Sequence, residues 1–191
     1  MSTTTTDQQT DAVDNGVDVE FLRSAREMLT AEPAGAAFRW RVRNTWVNGT
    51  HSRSTATDFF GLGEEQHHRT TFAFDTDHPE VFASEDNGAT PVELVLAGLA
   101  GCLTGGIAAI AQQRDIQLRS VTATVEGDSD VRGVLGADPD VRNGFSRIAV
   151  AYEIDADASD ADIEALVAQS QKRSAVFDVV ANPTNVSVEV R

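Results

Sequence analysis

One uncharged run, residues 94–110 within the stretch 90–115 (TPVELVLAGLAGCLTGGIAAIAQQRD), limits what the 191-residue chain can fold into more than any other feature. Thr90 is a favoured N-cap, Pro91 suits the first helical position, and Glu93 stands three residues after the cap, so a capping box opens a helix here. Leu94, Leu96, Leu99, Leu103, Ile107 and Ile110 are spread round that helix instead of forming one stripe, which predicts burial on nearly all sides. Gly98, Gly101, Gly105 and Gly106 would each cost about 1 kcal/mol relative to alanine in an exposed helix, and close approach of another backbone is what would offset them. Cys102, the only cysteine, falls at mid-helix. On the residues alone it reads either as a small apolar packing residue or as a functional thiol.

The same run competes as a membrane helix. About 17 residues is the lower limit for spanning, no aromatic belt flanks the run, and basic residues cluster at neither end, so no membrane partner is expected. The net charge is -15, and Lys172 is the only lysine in a total of 15 basic residues. Carboxylates hold hydration in concentrated salt, lysine stems add apolar surface, and salt screens self-repulsion, so the composition predicts a halophilic cytoplasm. Phosphate binding needs clustered Lys and Arg, which excludes nucleic acid as the expected partner. A single cysteine rules out an internal disulfide framework. The start, MSTTTTDQQTDAVDNGVDVE, has neither the basic beginning nor the apolar core of a signal peptide, and a cytoplasmic location is expected.

Residues 1–19 are polar and acidic and are expected to be a disordered tail, followed by a domain over residues 20–191 that opens with a short helix. Phe21, Leu22, Ala25, Met28 and Leu29 give that helix its spacing, and it ends near Pro33. Residues 38–47 (FRWRVRNTWV) and 51–59 read as a hairpin about the Asn48-Gly49 turn, and residues 69–74 as a third strand after the glycine break at 61–63. Beyond the central helix, Val121, Ala123 and Val125, then Ile148, Val150, Tyr152 and Ile154, alternate as two half-buried strands with a long loop between them. Ser159 with Asp162 caps a helix running to Lys172, and Val186, Val188 and Val190 alternate as a final strand. Strand runs separated from helices argue an α+β fold.

The motif PVELVLAGLAGCL, with its three-strand lead-in, resembles the OsmC/Ohr family of thiol-dependent hydroperoxide-handling proteins. The stretches RNTWVNGTHSRST, VEGDSDVRG, VRNGFSRI and QKRSAVFDVVANP are similar to a less characterised single-cysteine branch of it, so the resemblance covers residues 38–191. It implies an OsmC-like fold: antiparallel sheets around two central helices in an intertwined homodimer. The glycine face 98, 101 and 105 agrees with such close helix pairing. It also implies a reactive cysteine that attacks a hydroperoxide with help from an arginine and a glutamate, then a second cysteine that closes a disulfide.

Cys102 matches the first cysteine of that scheme. The second is absent, since Ser174-Ala175-Val176 stands where the family has Cys-Pro-Val, and a serine cannot resolve a sulfenic acid. The family glutamate falls on Val92, while Glu93 lies on the other side of the helix from Cys102 and reads as a cap. For the arginine the candidate is Arg53, with Arg69 as runner-up. His67 and His68 point apart on a strand and share no ligand spacing with Cys102, so neither a metal nor another cofactor is expected. The resulting expectation is a hydroperoxide reductase using Cys102, Arg53 and an external thiol. The alternative is a non-catalytic protein of the same fold that binds a small lipophilic ligand at the dimer interface.

Overall fold

The computed structural model describes residues 12–190; residues 1–11 of the expected disordered tail, and Arg191, lie outside the described residues. The chain divides into two compact units, one of residues 20–100 and 125–149, the other of residues up to 19, 101–124 and from 150 onward. The architecture is α+β.

In the first unit, α1 (Val19–Ala31) has the expected apolar spacing but no fully buried residue. Four antiparallel strands follow: β1 (Arg39–Trp40), β2 (Arg43–Asn48), β3 (His51–Gly61) and β4 (Glu64–Thr76), with β3 pairing the other three. The strand expected over 38–47 is split in two, because its register against β3 slips by one residue between Trp40 and Arg43. Such a bulge bends a strand without ending it. Asn48 pairs with His51 across a two-residue turn opened by Gly49 at φ 53°. The β3–β4 turn places both Leu62 (φ 55°) and Gly63 (φ 85°) in the left-handed region, as a type I′ hairpin requires, so β4 begins well before the expected Arg69.

The loop after β4 is organised by Asp77, which is 1% exposed. Its carboxylate accepts from Ser84 Oγ (2.5 Å), Thr50 Oγ1 (2.6 Å), Asn87 Nδ2 (2.8 Å) and the backbone N–H groups of His78 (2.8 Å) and Asn87 (3.1 Å). These donors, Ser84 foremost, keep the carboxyl far below the usual range, so a buried charge is fully hydrogen-bonded instead of stranded. The loop delivers the chain to the central helix α2 (Pro91–Gln113). Its capping box is formed: Thr90 N donates to Glu93 Oε2 at 2.7 Å and Glu93 N to Thr90 Oγ1 at 3.3 Å. Glu93 is engaged as the cap its spacing predicts.

β5 (Leu118–Asp128) and β6 (Arg147–Ala156) form a two-stranded sheet. The excursion between them, expected as a loop, contains one short helical turn, α3 (Val131–Val134), capped by Asp130. In the second unit α4 (Asp160–Arg173) starts at Ser159, whose Oγ accepts from Asp162 N, and α5 (Ala175–Ala181) follows directly. Ile107, Ile110, Ala111 and Leu166 form the buried core of this unit, with Val121, Tyr152, Ile154 and Val167 packed against it. Gly106 lets α4 approach α2: a Cβ there would lie 2.3 Å from Ser170 Oγ, which donates to the Leu103 carbonyl at 2.6 Å. At Gly98, Gly101 and Gly105 a Cβ would meet nothing within 4 Å. The close approach predicted for those three is therefore not made among the described residues.

Two further departures from the sequence reading stand out. Residues 13–15, read as tail, are strapped to the end of α2. Asn15 Nδ2 donates to the Ile116 carbonyl (2.8 Å), Asn15 Oδ1 accepts from Leu118 N (2.9 Å), and Gln112 Nε2 donates to the Val13 carbonyl (2.8 Å). The predicted final strand is not formed. Residues 183–190 have no regular structure, and Val186, Val188 and Val190 are exposed to 83%, 91% and 101%. Alternation supplies one apolar face, but a strand also needs an edge to pair with, and no described strand pairs with this segment.

The hydroxyl of Tyr152 is buried without a hydrogen-bond partner among the described residues. An unsatisfied buried polar group costs about 1–3 kcal/mol. Tyr152→Phe is therefore expected to raise the unfolding free energy by about 1 kcal/mol in urea titrations. A clear loss of stability would mean that a partner outside the chain holds the hydroxyl.

Candidate functional site

Cys102 lies in the second unit, partly exposed, on the turn of α2 that faces the junction of α4 and α5. Ser174 is the residue at that junction. It ends α4 and caps α5, its Oγ accepting from Phe177 N at 3.1 Å. The same hydroxyl donates to Cys102 Sγ at 3.1 Å, although the two residues are 72 apart in sequence. Ser174 is itself buried, 6% exposed, so this contact is shielded from competing water.

The surroundings of the sulfur pull in two directions. Burial opposes ionisation, while the Ser174 hydroxyl and the backbone N–H groups of Val176 and Ala175 stabilise the thiolate. The donors outweigh burial, and the thiol pKa lies below its ordinary value. A thiolate is the reactive form of a thiol, and hydrogen bonding favours that form at Cys102. Because the folded-state pKa is depressed, the stability this ionisation contributes is present above the unfolded thiol range and is lost as pH falls through the lowered value. Ser174→Ala is expected to move the midpoint of Cys102 alkylation upward in pH and to lower stability by about 1 kcal/mol through the lost cap. Iodoacetamide rates against pH measure the first, thermal unfolding the second.

The other candidate, Arg53, belongs to the first unit and lies on β3 opposite Asp75 of β4. Its Nη2 donates to Asp75 Oδ2 at 3.1 Å, and the second carboxylate oxygen, Oδ1, is held by His51 Nε2 at 2.9 Å. These bonds, the His51 contact foremost, keep the Asp75 carboxyl below its usual range. Arg69, the runner-up, lies further along β4. Val92, where the family resemblance leads one to look for a carboxylate, is exposed on the first turn of α2. His68 packs its ring between Phe59 (5.2 Å) and Phe72 (5.3 Å), and His67 pairs in register with Asp58. No three His, Cys, Asp or Glu side chains gather as a metal site among the described residues.

Asp75 as the partner of Arg53, and His51 as the second partner of Asp75, escaped the sequence reading. The spacing of His51 and Arg53, two apart on one strand and hence on one face, was a usable signal. Asp75 was not legible, because its place opposite Arg53 depends on hairpin register and on a slip between Ala56 and Asp58.

A family profile described as OsmC-like protein matches residues 84–189, more than half of the chain. Among solved structures, an OsmC-like protein from Mycoplasma pneumoniae superposes with a TM-score of 0.58 at 17% identity, covering 75% of this chain and 87% of that one. An organic hydroperoxide resistance protein from Legionella pneumophila gives 0.52 at 21% identity, over 76% of this chain and 90% of that one. An OsmC-like protein from Vibrio cholerae gives 0.53 at 9% identity, over 73% and 92%. At such identities the likeness speaks to the fold. No curated protein matches the sequence.

Proposed function

The chain belongs to the OsmC-like protein family, and we propose that it is a thiol-dependent organic hydroperoxide reductase in which Cys102 is the nucleophile and Arg53 its cationic helper. The observation that carries this reading is the Cys102 sulfur held by Ser174 and two backbone N–H groups with its pKa depressed. The thiolate attacks the terminal oxygen of ROOH; the S–O bond forms as the O–O bond breaks, and the alkoxide takes a proton and leaves as ROH. Cys102 is thereby oxidised to a sulfenic acid and the peroxide reduced. Ser174 cannot displace the oxygen, so an external thiol attacks the sulfur, water leaves, and a second thiol releases Cys102 together with a disulfide.

The same reading takes the protein as a homodimer paired through α2. The support is a long apolar helix whose most apolar 18-residue stretch is only 28% buried among the described residues, with Val92, Val95 and the glycine face open. Hydrophobic positions left bare over so long a helix need cover, and a second copy of the same helix provides it.

The test is addition of cumene hydroperoxide to the reduced protein, with trapping by a sulfenic-acid-specific dione and mass spectrometry. One adduct at Cys102, and peroxide consumption only when a small thiol is present, is the expected result; Cys102→Ser should show neither. The competing reading, a binding protein for a lipophilic ligand, draws on the absence of a resolving thiol and on Val92. It prevails if Cys102 stays reduced while a lipid co-purifies.

A further inference from the structure

A cavity of about 390 Å³ lies in the second unit where α4 gives way to α5, and Ser174 forms part of its wall. That volume is at the lower end of the range for small-ligand sites, roughly 300–1,000 Å³. The Ser174 hydroxyl also donates to Cys102 Sγ at 3.1 Å. One small side chain therefore touches both the cavity and the sulfur.

The rest of the lining carries both signs of charge. Lys172 and Asp178 line the cavity together with the amides of Gln171 and Asn182 and the ring of Phe177. Lys172 is the only lysine of a chain whose net charge is -15, and among the described residues it has no ion pair. Asp178 accepts from Asn182 Nδ2 on Oδ1 at 2.9 Å, which leaves Asp178 Oδ2 and Asn182 Oδ1 as acceptors without a donor among the described residues. A free cation and two free acceptors beside an aromatic ring suit a ligand with a carboxylate, an ammonium and a short apolar stem. An acidic protein repels carboxylate-bearing molecules in general, so such a ligand needs a local cation to approach.

We propose that this cavity seats the reductant of Cys102, a small thiol built on an α-amino acid, with its carboxylate on Lys172, its ammonium on Asp178 and Asn182, and its sulfur at Ser174. This rests on the reading that a hydroperoxide oxidises Cys102 to a sulfenic acid. Displacement at sulfur runs in line, so the thiol must enter opposite the departing oxygen. Ser174 occupies one approach to Sγ through its hydrogen bond, which leaves the peroxide another; rotation of the serine side chain then opens the first to the thiol. The entering thiolate forms an S–S bond to Cys102 as the S–O bond breaks, and the hydroxide takes a proton and leaves as water. A second molecule of the thiol cleaves the mixed disulfide, so the reductant departs as its own disulfide and Cys102 is restored.

The experiment starts from the reduced protein and one equivalent of cumene hydroperoxide, at one fixed ionic strength. The sulfenic acid is then mixed with excess L-cysteine, cysteamine, 3-mercaptopropionate or 2-mercaptoethanol, and its conversion to the mixed disulfide is followed by acid quench and intact mass. Rates are compared per thiolate. L-cysteine carries both charges, cysteamine only the ammonium, 3-mercaptopropionate only the carboxylate, and mercaptoethanol neither. Exposed charge contacts are individually weak, so L-cysteine is expected to react about tenfold faster than mercaptoethanol, with the singly charged thiols between. Lys172→Gln should abolish the advantage of 3-mercaptopropionate over mercaptoethanol, and Asp178→Asn that of cysteamine. Arg173→Gln removes the adjacent cation, which does not line the cavity, and should keep the wild-type order. A structural role for Lys172 or Asp178 would not produce this crosswise pattern. Four thiols reacting alike in the wild type, the wild-type order persisting in both cavity variants, or the same loss in Arg173→Gln as in Lys172→Gln overturns the seat and leaves the hydroperoxide reading standing. If no sulfenic acid forms, both fall.

Discussion

A Ser174→Cys variant is expected to close an internal disulfide with Cys102 on addition of one equivalent of organic hydroperoxide, and to unfold at a clearly higher temperature once oxidised. Ser174 Oγ and Cys102 Sγ are 3.1 Å apart. A disulfide bond is about 2.05 Å long, so the two side chains need to close by only about 1 Å. The positions are 72 residues apart, and cross-linking a loop of that length removes unfolded-state entropy equivalent to about 4 kcal/mol. Loss of the Ser174 cap on α5 offsets about 1 kcal/mol of this. The chemistry is balanced within the chain: peroxide converts Cys102 to a sulfenic acid, the introduced thiolate attacks that sulfur, and water leaves.

Intact mass under non-reducing conditions reads the outcome as the loss of two hydrogens, reversed by dithiothreitol. Turnover in this variant should switch from small thiols to reagents that reduce disulfides, since the oxidised form is no longer a sulfenic acid. A sulfenic acid that forms and never condenses would contradict the placement of Ser174 against Cys102. Failure of Cys102 to oxidise at all would remove the peroxidase reading in either background.

That variant can be designed because the local signals in the sequence were strong where side chains bond to nearby backbone. The Thr90–Glu93 box, the Ser159 cap and the turns at Gly49 and Gly63 are interactions over two to four residues, and the folded chain forms each of them. Ser174 was recognised as the residue in place of a second cysteine, and the structure sets its hydroxyl against Cys102. What was not legible depends on partners distant in sequence. Asn15 strapping residues 116 and 118 has no periodicity to betray it. Asp75 reaches Arg53 only through strand register. The alternating valines of residues 186–190 announced a strand, but alternation specifies a face and not a pairing partner, and no described strand pairs with this segment.

The glycines of α2 separate the two requirements on that helix. Gly106 answers to the chain itself, since an added Cβ would strike Ser170 and disturb its bond to Leu103; Gly106→Ala is a monomer-level defect. Gly98, Gly101 and Gly105 answer to nothing among the described residues. If the chain were all there is, leucine at 101 or 105 would stabilise the helix by about 1 kcal/mol through propensity alone. In a homodimer paired along this face the same side chain overpacks the interface by about 1–3 kcal/mol, and two-fold symmetry imposes the clash from both sides. Gly101→Leu and Gly105→Leu are therefore expected to shift the protein from dimer to monomer in light scattering coupled to size exclusion. Their unfolding should lose the concentration dependence that a dimer confers. Variants that remain dimeric, with unchanged or higher Tm, would mean that α2 is not the seam. The exposed valines of the first helical turn would then need a different cover.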